Sequence, residues 1–255
     1  MTVGIGVTGA TGRMGQEVIA AVADHESCEV AFAVNREPDD EAVDGVEIEP
    51  SSTFDTLLAD REPDVVIDFT GPESAVAYAE SCTAADVAYV TGTTGLDDNQ
   101  IEALAATSDE IPLLHAPNFA RGVQALVNVV GDAVQDLPGY DVELVETHHN
   151  GKRDAPSGTA NRLLDEIEAN GDFSGRTHGR EGEAPREAGE IGVHALRAGN
   201  VTGEHEIVIA GNHEEVRLTH RAEDRGVFAA GAVDAAVWLA DRKPGSYDFA
   251  DVLAD

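Results

Sequence analysis

Lysine is nearly missing from this chain of 255 residues, with Lys152 and Lys243 standing alone beside 14 arginines. Positive charge is scarce altogether, and 16 cations face 49 acids for a formal charge of −33. Such an excess repels phosphate backbones and anionic lipid surfaces, which argues against nucleic-acid and membrane partners. The acids are spread along the whole chain rather than gathered in a tail. That pattern suits a protein adapted to molar salt, where a Debye length of ~3 Å screens self-repulsion. Cysteine is as scarce as lysine. Cys28 and Cys82 lie far apart, without metal-ligand spacing or a disulfide framework, so a reduced, cytoplasmic setting is expected. No apolar run approaches the ~18 residues of a membrane span. The start, MTVGIGVTGATGRMG, lacks the basic region and cleavage site of a signal peptide.

What is present is enough apolar material for a core, at 42% hydrophobic residues, so the charge does not signal disorder. The length allows one large domain or two modest ones. The first half alternates strand and helix. Val3 to Val7 is an apolar strand, residues 16–23 read as a helix, and Glu29 to Val34 read as a second strand. Further strands are expected at Val65 to Phe69, Ala88 to Val90 and Pro112 to His115, with Pro72 and Ile101 in helices. Residues 37–52 read as loop. This rhythm predicts an α/β, Rossmann-like parallel sheet over residues 1–119. After residue 120 the rhythm changes. A helix over residues 122–137, a strand over 141–146 and a helix over 158–168 precede a Gly/Pro-rich stretch, 172–190, that reads as loop. Three strand-like runs then follow without helices between them, predicting a smaller α+β domain with a mixed sheet over residues 120–225. A final Ala-rich helix, residues 227–239, is expected to return to the first domain, so that 226–255 belong with it.

Gly9-Ala10-Thr11-Gly12-Arg13-Met14-Gly15 follows the first strand and opens the first helix. Glycines at this spacing permit a tight turn and close approach of backbone to a pyrophosphate, which the helix N-terminus attracts. An acid is the usual residue about 20 positions on, where it grips the adenosine ribose. Here Asn35 and Arg36 stand there instead. Asn35 carries no charge to repel a 2′-phosphate, and the planar fork of Arg36 suits one.

The most loaded segment is Glu146-Thr147-His148-His149-Asn150-Gly151-Lys152-Arg153-Asp154-Ala155-Pro156-Ser157-Gly158-Thr159-Ala160. Two imidazoles, an amine and a guanidinium within six residues suit proton transfer and an anionic substrate. Directly after them a small-residue helix N-terminus offers N–H groups and dipole charge to a carboxylate. Zinc fits poorly, since no second ligand pair accompanies the histidines, and no metal is expected.

With these motifs in order, the sequence resembles the dihydrodipicolinate reductases, also called 4-hydroxy-tetrahydrodipicolinate reductases, over essentially its whole length. GATGRMG, IDFTGPE (67–73), GTTG (92–95), HHNGKRDAPSGTA (148–160), REG (180–182), RAGNVTGEHEI (197–207) and LTHRAEDRGVFAAGA (218–232) carry the resemblance. It implies NADPH or NADH as cofactor and a cyclic dicarboxylate substrate, reduced in the diaminopimelate route to lysine. Gly9, Ala10, Thr11, Gly12, Arg13 and Met14 would then wrap the pyrophosphate, with Arg36 by the ribose, while Asn35 departs from family members that carry an acid there and so argues against a strong NADH preference. Gly92, Thr93 and Thr94, with Ala116, Pro117, Asn118 and Phe119, would line the nicotinamide side. The resemblance gives His148 as proton donor/acceptor, Lys152 as a proton donor, His149 as a substrate contact, and Gly158 with Thr159 as a carboxylate site. It further implies a cytoplasmic homotetramer joined through the second domain. A dinucleotide sensor without catalysis and a different two-domain dehydrogenase remain as alternatives, and the central segment has no evident use in either.

Overall fold

The computed structural model describes residues 2–38 and 42–254. The chain divides into two compact units, Met1–Ala120 with Arg225–Asp255, and Arg121–Asp224. The first unit runs β1 (Val3–Thr8), α1 (Arg13–Ala23), β2 (Cys28–Asn35), β3 (Ile48–Pro50), α2 (Phe54–Arg61), β4 (Val65–Asp68), α3 (Pro72–Ala85), β5 (Ala88–Thr91), α4 (Asp98–Thr107) and β6 (Pro112–His115). The second holds α5 (Arg121–Asp136), β7 (Asp141–His148), α6 (Gly158–Asn170), β8 (Gly175–His178), β9 (Glu190–Arg197), β10 (Gly203–Ala210) and β11 (Glu215–Ala222). The chain then returns to the first unit with α7 (Gly226–Leu239), β12 (Gly245–Tyr247) and α8 (Phe249–Ala254).

The first unit is built on a seven-stranded sheet ordered β12-β6-β5-β4-β1-β2-β3, and its pairings are parallel throughout. This is the Rossmann-like layout expected from the alternating pattern. β4 and β5 are buried along their whole length, as strands covered on both faces must be. One face packs on α1 and α7 through Val18, Ile19, Val22, Ala232, Ala236 and Leu239. The other packs on α2, α3 and α4 through Phe54, Leu58, Ala79, Cys82 and Leu104. Strand order reverses between β1 and β4, the place where open α/β sheets leave a crevice at the strand C-termini.

The second unit is a five-stranded sheet ordered β11-β10-β7-β9-β8. β7 and β8 pair parallel with β9, while β10 pairs antiparallel with β7 and β11, so the sheet is mixed as expected. Along β7 every second residue is buried, from Val142 to His148. That face meets α5 and α6 through Val127, Val130, Leu163, Leu164 and Ile167.

Some stretches expected to be loop hold short strands. β3 lies within residues 37–52, of which 39–41 fall outside the described residues, and β8 lies within 172–190. β12 and α8 follow the helix expected to be the last, and α2 was not anticipated. The three strands, Ile-Glu-Pro, Gly-Arg-Thr-His and Gly-Ser-Tyr, sit at sheet edges, where backbone pairing suffices and no apolar alternation is needed. Among the described residues, no helix is long and apolar enough to cross a membrane.

Candidate active site

Four of the segments singled out in the sequence lie at the same edge of the first sheet, each after the C-terminal end of a strand. Gly9–Met14 follows β1, Asn35 ends β2 with Arg36 next, Gly92–Thr94 follows β5, and Ala116–Phe119 follows β6. The glycine turn is dictated by space. Gly9 adopts φ +64°, a left-handed conformation that disfavours side chains. A Cβ on Gly15 would stand 2.2 Å from the Gly9 carbonyl oxygen, so only glycine lets the helix start this close to the strand. Gly12 caps α1, and its N–H donates to the Gly9 carbonyl at 2.9 Å. The turn therefore presents backbone and a helix N-terminus, which fits a dinucleotide pyrophosphate. Asn35 is half-buried and Arg36 exposed. Burial pushes the nearby Tyr78 hydroxyl up, and the charge of Arg36 acts in the opposite direction.

Behind these loops sits Asp68, fully buried at the end of β4. Its Oδ1 accepts from the hydroxyls of Thr8 and Thr70, each at 2.7 Å. Its Oδ2 accepts from Thr91 at 3.0 Å and Thr93 at 2.7 Å. One carboxylate thus ties the ends of β1, β4 and β5 and the Gly92–Thr94 loop together. Gly92 is required here because a Cβ would collide with the Phe69 ring, which in turn packs edge-on against Phe119 at 5.8 Å.

In the second unit, His148 ends β7, His149 and Lys152 follow in a turn, and Gly158 and Thr159 are the first residues of α6. Within that turn the Lys152 N–H donates to the His149 carbonyl at 3.1 Å. Lys152 Nζ lies 3.0 Å from Asp154 Oδ1. Burial pushes the Asp154 carboxyl up, but the adjoining Lys152 ammonium outweighs it and holds it below the usual range. Ser157 caps α6, its Oγ accepting from the Ala160 N–H at 3.1 Å. Gly158 is exposed, and a Cβ added there would meet nothing within 4 Å.

The centre of this network is Glu146, which the sequence reading left without a role. It is fully buried on the apolar face of β7. Its Oε2 lies 2.5 Å from His148 Nδ1 and accepts from Arg197 at 2.8 Å. Its Oε1 accepts from Arg197 at 2.8 Å and from the Ser157 N–H at 3.1 Å. Burial alone would raise the Glu146 carboxyl, but the Arg197 and His148 bonds prevail and hold it below its ordinary range. An ionised carboxylate only accepts, so Nδ1 of His148 carries the hydrogen. Burial lowers the His148 imidazole, and Glu146 restores part of its proton affinity. His205 packs edge-on to His148 at 5.2 Å, with its Nε2 3.1 Å from Ser157 Oγ. Burial pushes His205 down to about 3, leaving it neutral. Glu146 was open to detection, because residues two apart on a strand share a face. Arg197 and His205 reach it through strand pairing, which the sequence does not display.

A Rossmann-type sheet with a glycine-rich turn, joined in one chain to a buried imidazole–carboxylate pair, defines a dinucleotide-dependent oxidoreductase. Residues 3–119 match the dihydrodipicolinate reductase N-terminal family, and residues 122–253 match its C-terminal family. The 4-hydroxy-tetrahydrodipicolinate reductase of Natronomonas pharaonis is 52% identical over 250 residues, covering 97% of this chain and 98% of the relative. That of Haloarcula marismortui is 51% identical over 249 residues, covering 98% of each. The chain belongs to the dihydrodipicolinate reductase family. Both relatives come from halophilic archaea, in keeping with the charge of this chain. A dipicolinate-bound dihydrodipicolinate reductase from Paenisporosarcina sp. TG-14 has the same fold, with a TM-score of 0.79 at 24% identity over 97% of this chain and 98% of that one.

Proposed function

We propose that this chain reduces 4-hydroxy-tetrahydrodipicolinate to tetrahydrodipicolinate with NADPH or NADH, in the diaminopimelate route to lysine. Substrate and product differ by one hydroxyl. The change therefore takes up a hydride and a proton and releases water. The nicotinamide supplies the hydride when bound. Gly9–Met14 hold the pyrophosphate, Asn35 and Arg36 the adenosine ribose, and Gly92–Thr94 with Ala116–Phe119 the nicotinamide side. His148 and Lys152 supply protons. Burial lowers the proton affinity of the His148 imidazole, and a dianionic substrate beside it raises it. His149 contacts the substrate. Gly158 and Thr159 receive a substrate carboxylate at the N-terminus of α6, where backbone N–H groups and the helix dipole favour an anion. The chain is a homotetramer joined through its second unit.

The observation that carries this reading is the Glu146 carboxylate, which bonds both His148 and the Ser157 N–H at the start of α6. A proton donor and an anion-binding helix end are thereby held in one network. The test is dinucleotide oxidation with substrate generated in place by the preceding synthase. His148→Ala and Lys152→Ala are each expected to lower turnover by about 10²–10⁴-fold with dinucleotide binding intact. Near-normal turnover in both would remove the assignment. Lys152→Arg is not expected to rescue, because a guanidinium stays protonated.

A further inference from the structure

Glu146 is a carboxylate in a position where an apolar residue would serve the core. Its neighbours along the same face of β7 are Val142 and Leu144, both buried. Replacing a buried ion pair by well-packed apolar residues is often neutral or stabilising, so stability alone does not account for a charge there. Its contacts do. Two of its four acceptor bonds come from Arg197, one from His148 and one from the Ser157 N–H. The same Arg197 donates to the Asp154 carbonyl at 2.6 Å, on the loop that carries Lys152.

We propose that Glu146 is the positioning residue of the proton-donating site, fixing which nitrogen of His148 faces the substrate and setting how readily it gives up its proton. Nδ1 is committed to Glu146, which leaves Nε2 as the working nitrogen. Gly203 on β10 serves the same end, since a Cβ there would stand 3.1 Å from His148 Nε2 and crowd it. Through Oε1 the same carboxylate fixes the first turn of α6, so the proton donor and the carboxylate-binding helix end share one anchor. Arg197 opposes Glu146. Its bidentate charge keeps the carboxylate from binding the imidazolium so tightly that the proton is never released. The other groups around the pair are Lys152 on the loop after β7 and His205 on β10, with Asp154 beside Lys152 and His220 on β11 beside His205. This inference rests on the proposed role of His148.

Opposite shifts in the two variants test it. Glu146→Gln removes the negative charge, so His148 loses its proton at lower pH. The alkaline limb of the turnover profile is expected to move down, with turnover reduced about 10–100-fold and the dinucleotide Michaelis constant unchanged. Arg197→Gln removes the opposing positive charge, so the limb is expected to move up. A purely structural role would lower activity in both without moving the limb in opposite directions, and that result overturns the proposal. If Glu146→Gln does not fold, nitrogen NMR of the His148 ring in the unaltered protein decides. The neutral ring is expected with its hydrogen on Nδ1, and a ring protonated on Nε2 overturns the proposal. This readout needs no turnover, so a failure of the positioning proposal is distinguishable from a failure of the proton-donor reading on which it rests.

Discussion

The hydroxyl of Thr93 donates to Asp68 Oδ2 at 2.7 Å, and this bond fastens the Gly92–Thr94 loop to the buried end of β4. An amide in place of the carboxylate has one acceptor oxygen where four hydroxyls now converge. Asp68→Asn is expected to weaken NADPH binding about tenfold, the scale of one unsatisfied buried polar group. Fluorescence titration of the dinucleotide reads it, and an unchanged affinity in a folded variant would show that the loop holds its shape without the carboxylate.

Arg36→Ala is expected to raise the NADPH Michaelis constant by about one to two decades and to leave the NADH value nearly unchanged. A charge-assisted contact to a 2′-phosphate is worth roughly 1.5–3 kcal/mol, and NADH offers no such phosphate. Molar salt screens part of this. Steady-state kinetics with both cofactors decide it, and equal losses would mean that Arg36 supports the adenosine pocket in general.

Gly158 has open space where a Cβ would go. Gly158→Ala should therefore leave the melting temperature intact while occupying the place proposed for a substrate carboxylate. Titration calorimetry with pyridine-2,6-dicarboxylate is expected to show about tenfold or weaker binding, with NADPH affinity preserved. Thr159→Val is expected to act in the same direction. Full dicarboxylate affinity in both variants would place the carboxylate elsewhere.

Acid should destabilise the second unit through His205. Its imidazole takes a proton near 6.5 when unfolded but only at about 3 when folded. Between those values the unfolded chain holds more protons, so stability rises with pH and is lost as pH falls through this window, by up to about 1.4 kcal/mol per unit. Protonation of surface acids relieves repulsion and works against this, so the comparison is with His205→Gln in the same salt. Urea unfolding at several pH values should give a flatter dependence in the variant, and identical slopes would refute the assignment.

Salt should matter as much as acid. With 49 acids against 16 cations, repulsion grows as the Debye length lengthens from ~3 Å at 1 M to ~30 Å at 0.01 M. The melting temperature is expected to rise across a KCl series. Indifference to salt would contradict the adaptation read from the charge.

The fold was legible where period and punctuation agree. The glycine turn after β1, the apolar run of β4 and the long amphipathic α5 each announce themselves, and together they give the parallel sheet and the change of rhythm after it. β3, β8 and β12 carry no such signal, because an edge strand is held by its neighbour's backbone rather than by its own side-chain pattern. The candidate site stood out by residue type at His148, Lys152 and Gly158, where cations and a small-residue helix start are unusual in an acidic chain. Glu146 could be placed on the face of His148 from their spacing of two along a strand, whereas Arg197 and His205 come to it only through strand pairing.

The return of α7 and β12 to the first unit has a consequence for assembly during synthesis. Ala229, Ala232, Ala235, Ala236 and Leu239 of α7 are buried in the core beneath the parallel sheet, and β12 forms the sheet edge beside β6. All of them are made after the second unit. As the chain leaves the ribosome, the first unit has a sheet with one face covered by α1 alone, while residues 121–224 are already outside. The part begun first is therefore finished last, and a chain cut short just after residue 224 lacks α7 and β12 and leaves half of that face bare.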